Sequence, residues 1–130
     1  MKRKIYEKLL EWKKRSNGET ALLIDGARRV GKSYIVKNFA ENEYSSYILI
    51  DFNKANKRIK DLFDDYLDDL DTLFMYLSSF TNTKLYNRKS VIIFDEVQIY
   101  PRARAAIKYL VEDGRFDYIE TGSLISIRKY

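Results

Sequence analysis

Residues 26–33 read Gly-Ala-Arg-Arg-Val-Gly-Lys-Ser, and this stretch decides the fold. It matches the pattern GxxxxGK[ST] at every fixed position. Glycine at both fixed positions permits backbone angles and a close approach that a side chain would block. The N–H groups of such a loop turn inward and form a nest for an anion. The sequence therefore predicts a phosphate-binding loop, the Walker A motif. Its members are Gly26, Ala27, Arg28, Arg29, Val30, Gly31, Lys32 and Ser33.

The charged and hydroxyl side chains of this loop suggest individual roles. Lys32 is expected to reach the β- and γ-phosphates of a nucleotide, and the Ser33 hydroxyl to ligate magnesium. The adjacent Tyr34 is counted with the nucleotide-binding residues. Arg28 and Arg29 could touch phosphate or an acidic neighbour, or face solvent or a partner, and the sequence does not choose between these placements.

The segments on either side of the loop give the motif its structural context. Ala21–Asp25 is a short apolar run and predicts a buried strand that enters the loop at Gly26. After Lys32 the apolar residues Ile35, Val36 and Phe39 recur at helical spacing, which predicts a helix. A strand before the loop and a helix after it is the arrangement in which this motif binds phosphate.

The rest of the chain alternates between strands and helices. Buried strands are predicted at 47–52, 91–94 and 116–121, and an N-terminal helix at 3–15. Further helices are expected within 57–80 and from Pro101 to near Gly114. The apolar stripe of 57–80 is interrupted, because Asp68 or Asp69 makes a good N-cap for a new helix from Leu70 to Phe80. Strands that alternate with helices predict an α/β fold with a parallel sheet covered on both faces.

Two acidic residues follow the third of these strands. Asp95 is expected at the carboxyl edge of the sheet, where ligands of open α/β sheets bind. There it would hold magnesium through water, as a Walker B aspartate does, and Glu96 would polarise a water for attack on the γ-phosphate. Gln98 could orient the same water or bond to backbone. Thr121 and Ser123, at the end of the fourth strand, are candidate sensors of the γ-phosphate.

Composition limits the other possibilities. The chain has 130 residues and a net charge of +5, with no cysteine and no histidine. This length predicts a single domain, 1–130, with the nucleotide-binding core at 20–130. Missing cysteine and histidine exclude thiolate metal sites and histidine-assisted nucleophiles. The sequence offers no apolar run long enough to cross a membrane and no secretion signal, so a cytoplasmic protein is expected. The aspartates between residues 61 and 71 are expected to form a solvated helix face rather than a cation site.

With these residues in view, the chain resembles the AAA-type ATPases of prokaryotes whose N-terminal ATPase domain precedes a C-terminal domain of unknown function. The matching segments are Leu23–Ser33, Ile92–Gln98 and Thr121–Ser123. The resemblance implies ATP hydrolysis with Mg²⁺, a catalytic glutamate at Glu96 and a sensor at Thr121 or Ser123. It also implies the strand order 5-1-4-3-2. Because the chain stops after its fourth strand, the order 1-4-3-2 is expected here, in a truncated ATPase domain without the fifth strand and helical lid.

Several functions remain open at this point. An ATPase is the leading hypothesis, in a homo-oligomer or with a protein partner that supplies an arginine finger. A non-hydrolysing nucleotide-binding switch is the second, and a P-loop kinase with Arg102, Arg104 and Arg115 as phosphate-clamping lid residues is the third. Nucleic-acid binding would suit the basic surplus, but no base-reading motif is present. A guanine-specificity motif is also missing, which favours ATP over GTP.

Overall fold

The computed structural model describes residues 2–26 and 32–123. Helices and strands alternate along these ranges, as the sequence predicts. The elements are α1 Lys2–Ser16, β1 Leu22–Gly26, α2 Lys32–Glu43, β2 Ser46–Asp51, α3 Lys57–Asp65, α4 Leu70–Thr81, β3 Ser90–Asp95, the 3₁₀-helix η1 Val97–Ile99, α5 Pro101–Asp113 and β4 Asp117–Ser123.

The strands described here form one sheet in the order β1-β4-β3-β2, and every neighbouring pair is parallel. The predicted order is therefore confirmed. Parallel neighbours need long crossover connections, and the helices provide them. All four strands consequently end at the same edge of the sheet, which is where β1 leads towards α2.

The two faces of the sheet are covered by different helices. Along β3 the side chains alternate, so that Val91 and Ile93 pack towards α1 and α2 while Ile92 and Phe94 pack towards α3, α4 and α5. This alternation follows from the two-residue period of a strand. Every residue of β3 is buried, because this strand lies inside the sheet and both of its faces are covered.

The predicted break between residues 57 and 80 is confirmed. Asn56 caps α3 by accepting a hydrogen bond from the amide of Ile59 at 3.1 Å. Asp69 caps α4 by accepting from the amide of Thr72 at 3.3 Å. Both side chains satisfy amides that a helix start leaves without a partner. At the far end of α5, Gly114 adopts φ 82°, which lets the chain turn back towards β4.

The acidic residues between 61 and 71 lie mostly on exposed surface, as expected, and some of them form contacts there. Asp64 accepts a hydrogen bond from the Tyr100 hydroxyl at 2.8 Å and pairs with Arg102 at 2.9 Å. Burial, together with this hydrogen bond, raises the pKa of Tyr100 to about 12. Asp61 pairs with Lys57 at 2.8 Å within α3. In the part of the chain that the structure describes, these carboxylates form no metal-binding group.

An ion pair between the buried Asp117 and the part-exposed Arg88 lies at the amino edge of the sheet. Asp117, at the start of β4, is 6% exposed and accepts a hydrogen bond from Arg88 at 2.6 Å and another from the Tyr44 hydroxyl at 2.5 Å. Arg88 also donates to the carbonyl of Gly114 at 3.1 Å. Burial and the bond to Asp117 raise the pKa of Tyr44 far above its usual range. These bonds hold the start of β4 in place. They therefore also fix where the carboxyl end of β4 lies in the sheet.

Helix α4 offers a matched test of the core that packs against the sheet. Leu73 is fully buried, whereas Met75, two residues on, is 58% exposed. We expect Leu73→Ala to lower the free energy of unfolding by about 2–5 kcal/mol, since it removes buried methyl groups and leaves a cavity. Met75→Ala should change it by less than about 0.5 kcal/mol. Urea denaturation followed by circular dichroism measures both, and equal losses would contradict this packing.

Candidate active site

Several of the predicted functional residues that the structure describes lie together at the carboxyl edge of the sheet. Val91 and Ile93 face α1 and α2, so the next residue of the same parity, Asp95, faces them as well. Ile119 of β4 lies on the same face, so Thr121, two residues later, also lies there. Phe94 of β3 pairs with Glu120 of β4, and the next residues of the two strands, Asp95 and Thr121, are therefore neighbours. Ser33 lies in the first turn of α2 and reaches the same point. Strand period and sheet register thus bring together residues that are far apart in sequence.

The carboxylate of Asp95 is the centre of this cluster. Its Oδ1 accepts a hydrogen bond from the Ser33 hydroxyl at 2.9 Å and another from the Thr121 hydroxyl at 2.5 Å. The Thr121 oxygen in turn accepts from the backbone N–H of Glu96 at 3.0 Å. Three structural elements, α2, β3 and β4, are therefore tied together by one carboxylate oxygen and one hydroxyl.

The backbone turns sharply at Glu96. This residue has φ 55° and ψ 48°, in the left-handed region that costs a non-glycine residue about 1–2 kcal/mol. The turn ends β3 and begins η1, a helix that was not predicted. It also brings the Glu96 carboxylate to Gln98, whose Nε2 donates a hydrogen bond to Oε1 of Glu96 at 2.8 Å. Left-handed, strained residues of this kind cluster at functional sites.

These groups are shielded from solvent. Asp95, Glu96 and Gln98 are each no more than 8% exposed, and Thr121 is fully buried. Carboxylates are rarely buried to this extent unless they are paired or hydrogen-bonded. The Ser33 and Thr121 hydroxyls donate to Asp95, and the Gln98 amide donates to Glu96, which satisfies this requirement.

The oxygen atoms of Ser33 and Asp95 are of the type that Mg²⁺ prefers. Among residues 2–26 and 32–123, no group of three or more acidic or imidazole side chains surrounds this point. Mg²⁺ commonly binds through one or two protein oxygens and completes its shell with phosphate and water. The donor set therefore fits a magnesium ion that arrives with a nucleotide, and it does not resemble an all-protein metal cage.

The phosphate loop itself is only partly covered by the described residues. Ala27, Arg28, Arg29, Val30 and Gly31 lie outside them, as do the side chains of Lys32 and Ser123. The predicted context is confirmed, because β1 ends at Gly26 and α2 begins at Lys32. Tyr34 follows in the first turn of α2 and is 63% exposed. The phosphate cradle and its individual contacts remain predictions.

Asp51 has no predicted role, and the structure places it next to Asp95 on the neighbouring strand. Asp51 of β2 pairs with Asp95 of β3, and paired residues of neighbouring strands lie on the same face of the sheet. Asp51 therefore lies on the face that α2 covers. One of its oxygens accepts a hydrogen bond from the backbone N–H of Asn53 at 2.9 Å. An aspartate at the end of a predicted strand was the available signal.

The three arginines considered as kinase lid residues do not converge on the site. Arg102 pairs with Asp64, and Arg104 lies 3.4 Å from Glu120. Arg115 pairs with Asp71 at 2.8 Å and precedes β4, which places it at the amino edge, opposite Asp95. A phosphate-clamping set is therefore not assembled from these residues.

A separate groove of about 590 Å³ runs beside the outer strand β2, between residues 44–49 and Thr81 and Thr83. Its lining on β2, residues 46–49, pairs with residues 90–93 of β3, so the groove lies towards the amino ends of these strands, before Asp95. The groove therefore does not belong to the cluster described above.

Thr121 provides a direct test of this cluster. Thr121→Val keeps the shape but removes the hydroxyl, so the buried N–H of Glu96 and the Asp95 carboxylate each lose a partner. We expect the free energy of unfolding to fall by about 2–3 kcal/mol, the typical cost of leaving buried polar groups without partners. Thr121→Ser keeps the hydroxyl and should cost about 1 kcal/mol for the lost methyl group. Urea denaturation compares the two, and a valine variant as stable as the serine variant would refute the proposed hydrogen bonds.

Comparison with known proteins places this arrangement in a family. A family model described as an AAA domain matches residues 18–129. No curated protein sequence matches the chain. Among solved structures, PCH-2 of C. elegans is similar with a TM-score of 0.50 and 14% identity, over 93% of this chain and 36% of that one. That likeness concerns the fold, and the chain spans only about a third of the length of that structure. Because the family match covers the loop, β3 and β4, the chain belongs to the AAA domain family.

Proposed function

We propose that this chain binds ATP with magnesium and hydrolyses its γ-phosphate at the cluster around Asp95. The observation that carries the proposal is the contact of Ser33 with Asp95 at 2.9 Å, with Glu96 next in the chain and buried beside it. Membership of the AAA domain family supports nucleotide binding and ATPase activity at the level of the family. The residue assignments and the chemistry below are our own proposal.

Nucleotide binding rests on the loop between β1 and α2. The N–H groups of residues 26–33 would surround the phosphates, and the amino end of α2 adds the positive end of a helix dipole. The Lys32 ammonium would pair with the β- and γ-phosphates. Tyr34, in the first turn of α2, completes the proposed nucleotide-binding set.

Magnesium would be held by the Ser33 hydroxyl and, through water, by Asp95. When bound, such an ion neutralises charge on the β- and γ-phosphate oxygens. The task of this chain is to place the two oxygen ligands. The hydrogen bond from Thr121 to Asp95 fixes the carboxylate, and the register of β3 and β4 fixes Thr121.

Glu96 is proposed as the general base. Its carboxylate takes a proton from a water molecule as the water oxygen forms a bond to the γ-phosphorus. The bond between that phosphorus and the oxygen that bridges to the β-phosphate breaks, and its electron pair leaves with ADP. Inorganic phosphate and ADP are the products, and the proton on Glu96 returns to solvent. A positioned base of this kind contributes about 10²–10⁴-fold to a rate.

Thr121 and Ser123 are proposed as sensors of the γ-phosphate. Thr121 suits this role because its hydroxyl already links Asp95 to the backbone of Glu96. A change at the phosphate could therefore reach both acidic residues through one side chain. A homo-oligomer or a partner protein would supply an arginine finger to the transition state.

A nucleotide-binding switch without turnover is the rival function. It uses the same loop and the same magnesium ligands but assigns no base to Glu96. The buried hydrogen bond that holds the Glu96 carboxylate to Gln98 is compatible with either function, so kinetics must separate them.

Two substitutions test the proposal. Lys32→Ala should raise the ATP dissociation constant by about ten- to a hundredfold, because a charged hydrogen bond to phosphate is lost. Glu96→Gln should keep ATP affinity within about twofold and lower the turnover rate by at least about a hundredfold. Calorimetric titration with Mg-ATP gives the first value, and phosphate release over several turnovers gives the second.

The outcomes separate the two functions. Lys32-dependent phosphate release by the parent chain supports the ATPase, whereas tight ATP binding without release supports the switch. Equal turnover by the parent chain and by Glu96→Gln would show that Glu96 is not the base. Unchanged ATP binding by Lys32→Ala would refute the phosphate loop itself.

A further inference from the structure

We propose that Gln98 is a positioning residue that holds both the Glu96 carboxylate and the attacking water. This inference rests on the proposed ATPase function and concerns a side chain for which the sequence left two readings open. It makes Gln98 part of the hydrolytic site rather than an amide that only satisfies the backbone.

The first observation is the direction of the Gln98–Glu96 hydrogen bond. The two side-chain atoms, Nε2 and Oε1, are 2.8 Å apart, and both residues are buried. An ionised carboxylate only accepts hydrogen bonds, so the amide must turn its NH₂ group towards Glu96. The amide oxygen of Gln98 then necessarily faces away from that carboxylate oxygen.

The second observation concerns that amide oxygen. Gln98 is 8% exposed, and its Oε1 is buried with no hydrogen-bond partner among the described residues. A buried acceptor without a partner is costly, so the site is arranged to receive a donor there. Gln98 thus carries a buried acceptor without a partner on the side chain that contacts Glu96.

Water is the donor that fits this position. It carries two hydrogens, one of which can point to the Gln98 amide oxygen and the other to the second oxygen of Glu96. With both hydrogens held, a lone pair of the water oxygen is directed towards the phosphate, and only the proton on the Glu96 side is removed. An amide that orients water beside a phosphoryl group is a known chemical solution in other nucleotide-hydrolysing proteins.

The backbone around Gln98 is built to hold this geometry. The left-handed turn at Glu96 and the short helix η1 place the two side chains on the same side. Val97 is buried, and the Tyr100 ring stacks on Phe52 at a centroid distance of 5.9 Å with an interplanar angle of 13°. The Tyr100 hydroxyl bonds to Asp64, which ties the end of η1 to α3. Groups that must be placed accurately are usually supported by such a second layer of contacts.

The test uses Gln98→Met, which keeps the length and most of the volume but removes both amide groups. We expect the turnover rate to fall about ten- to a hundredfold, while the dissociation constant of Mg-ATP stays within twofold. In the Glu96→Gln background, measured in single turnover, Gln98→Met should cause a smaller loss than in the parent, because only its direct hold on the water remains to be lost. The control is Ile99→Ala in the same turn, since Ile99 is 41% exposed and should leave the turnover rate unchanged.

Urea denaturation first establishes that each variant is folded, and Gln98→Ala replaces Gln98→Met if the latter is not. Turnover by Gln98→Met within twofold of the parent would overturn the inference. A rise in turnover would also overturn it, because the bond to Glu96 would then be inhibitory. A parallel loss of turnover and ATP affinity would overturn it too, because the role of Gln98 would then be structural. A parent chain without Lys32-dependent turnover refutes the proposed function as well, whereas an active parent with an unaffected Gln98→Met refutes this inference alone.

Discussion

The structure depends on one buried carboxylate, that of Asp95. Its Oδ1 accepts hydrogen bonds from Ser33, 62 positions earlier in the chain, and from Thr121, 26 positions later. A carboxylate that is 6% exposed is stable only with such partners, so α2, β3 and β4 must meet at this point. The same geometry that satisfies Asp95 also places Glu96 and Gln98 at the carboxyl edge of the sheet. Stability and the proposed chemistry therefore have the same origin.

Much of this arrangement follows from sequence patterns. The apolar runs at 21–25 and 91–94 predict buried strands, and the glycines at 26 and 31 predict the loop that joins β1 to α2. Strand period and parallel pairing then require Asp95 and Thr121 to share a face and an edge. The break before α4 could be predicted as well, because Asp69 is a suitable cap and the basic start and acidic later part of the stripe oppose the dipole of a single helix.

Other features could not be predicted from the sequence. The left-handed conformation of Glu96 has no local signal, since left-handed positions usually carry glycine or asparagine. The hydrogen bond between Gln98 and Glu96 depends on that turn and on η1, so it could not be predicted from the sequence either. The position of Asp51 opposite Asp95 depends on the register of β2 against β3, which an isolated strand does not encode. Ion pairs such as Asp64 with Arg102 likewise depend on how α3 packs against α5.

We propose that nucleotide binds at the amino end of α2, beside the carboxyl ends of β1, β4 and β3. Hydrogen–deuterium exchange, measured with and without Mg-ATP, tests this most directly, because it reports the protection of individual backbone segments. We expect ATP to slow exchange in the segments 26–33 and 95–98 and to leave 44–49, beside the groove of β2, unchanged. Protection confined to 44–49, or no protection at 26–33 at saturating Mg-ATP, would contradict it.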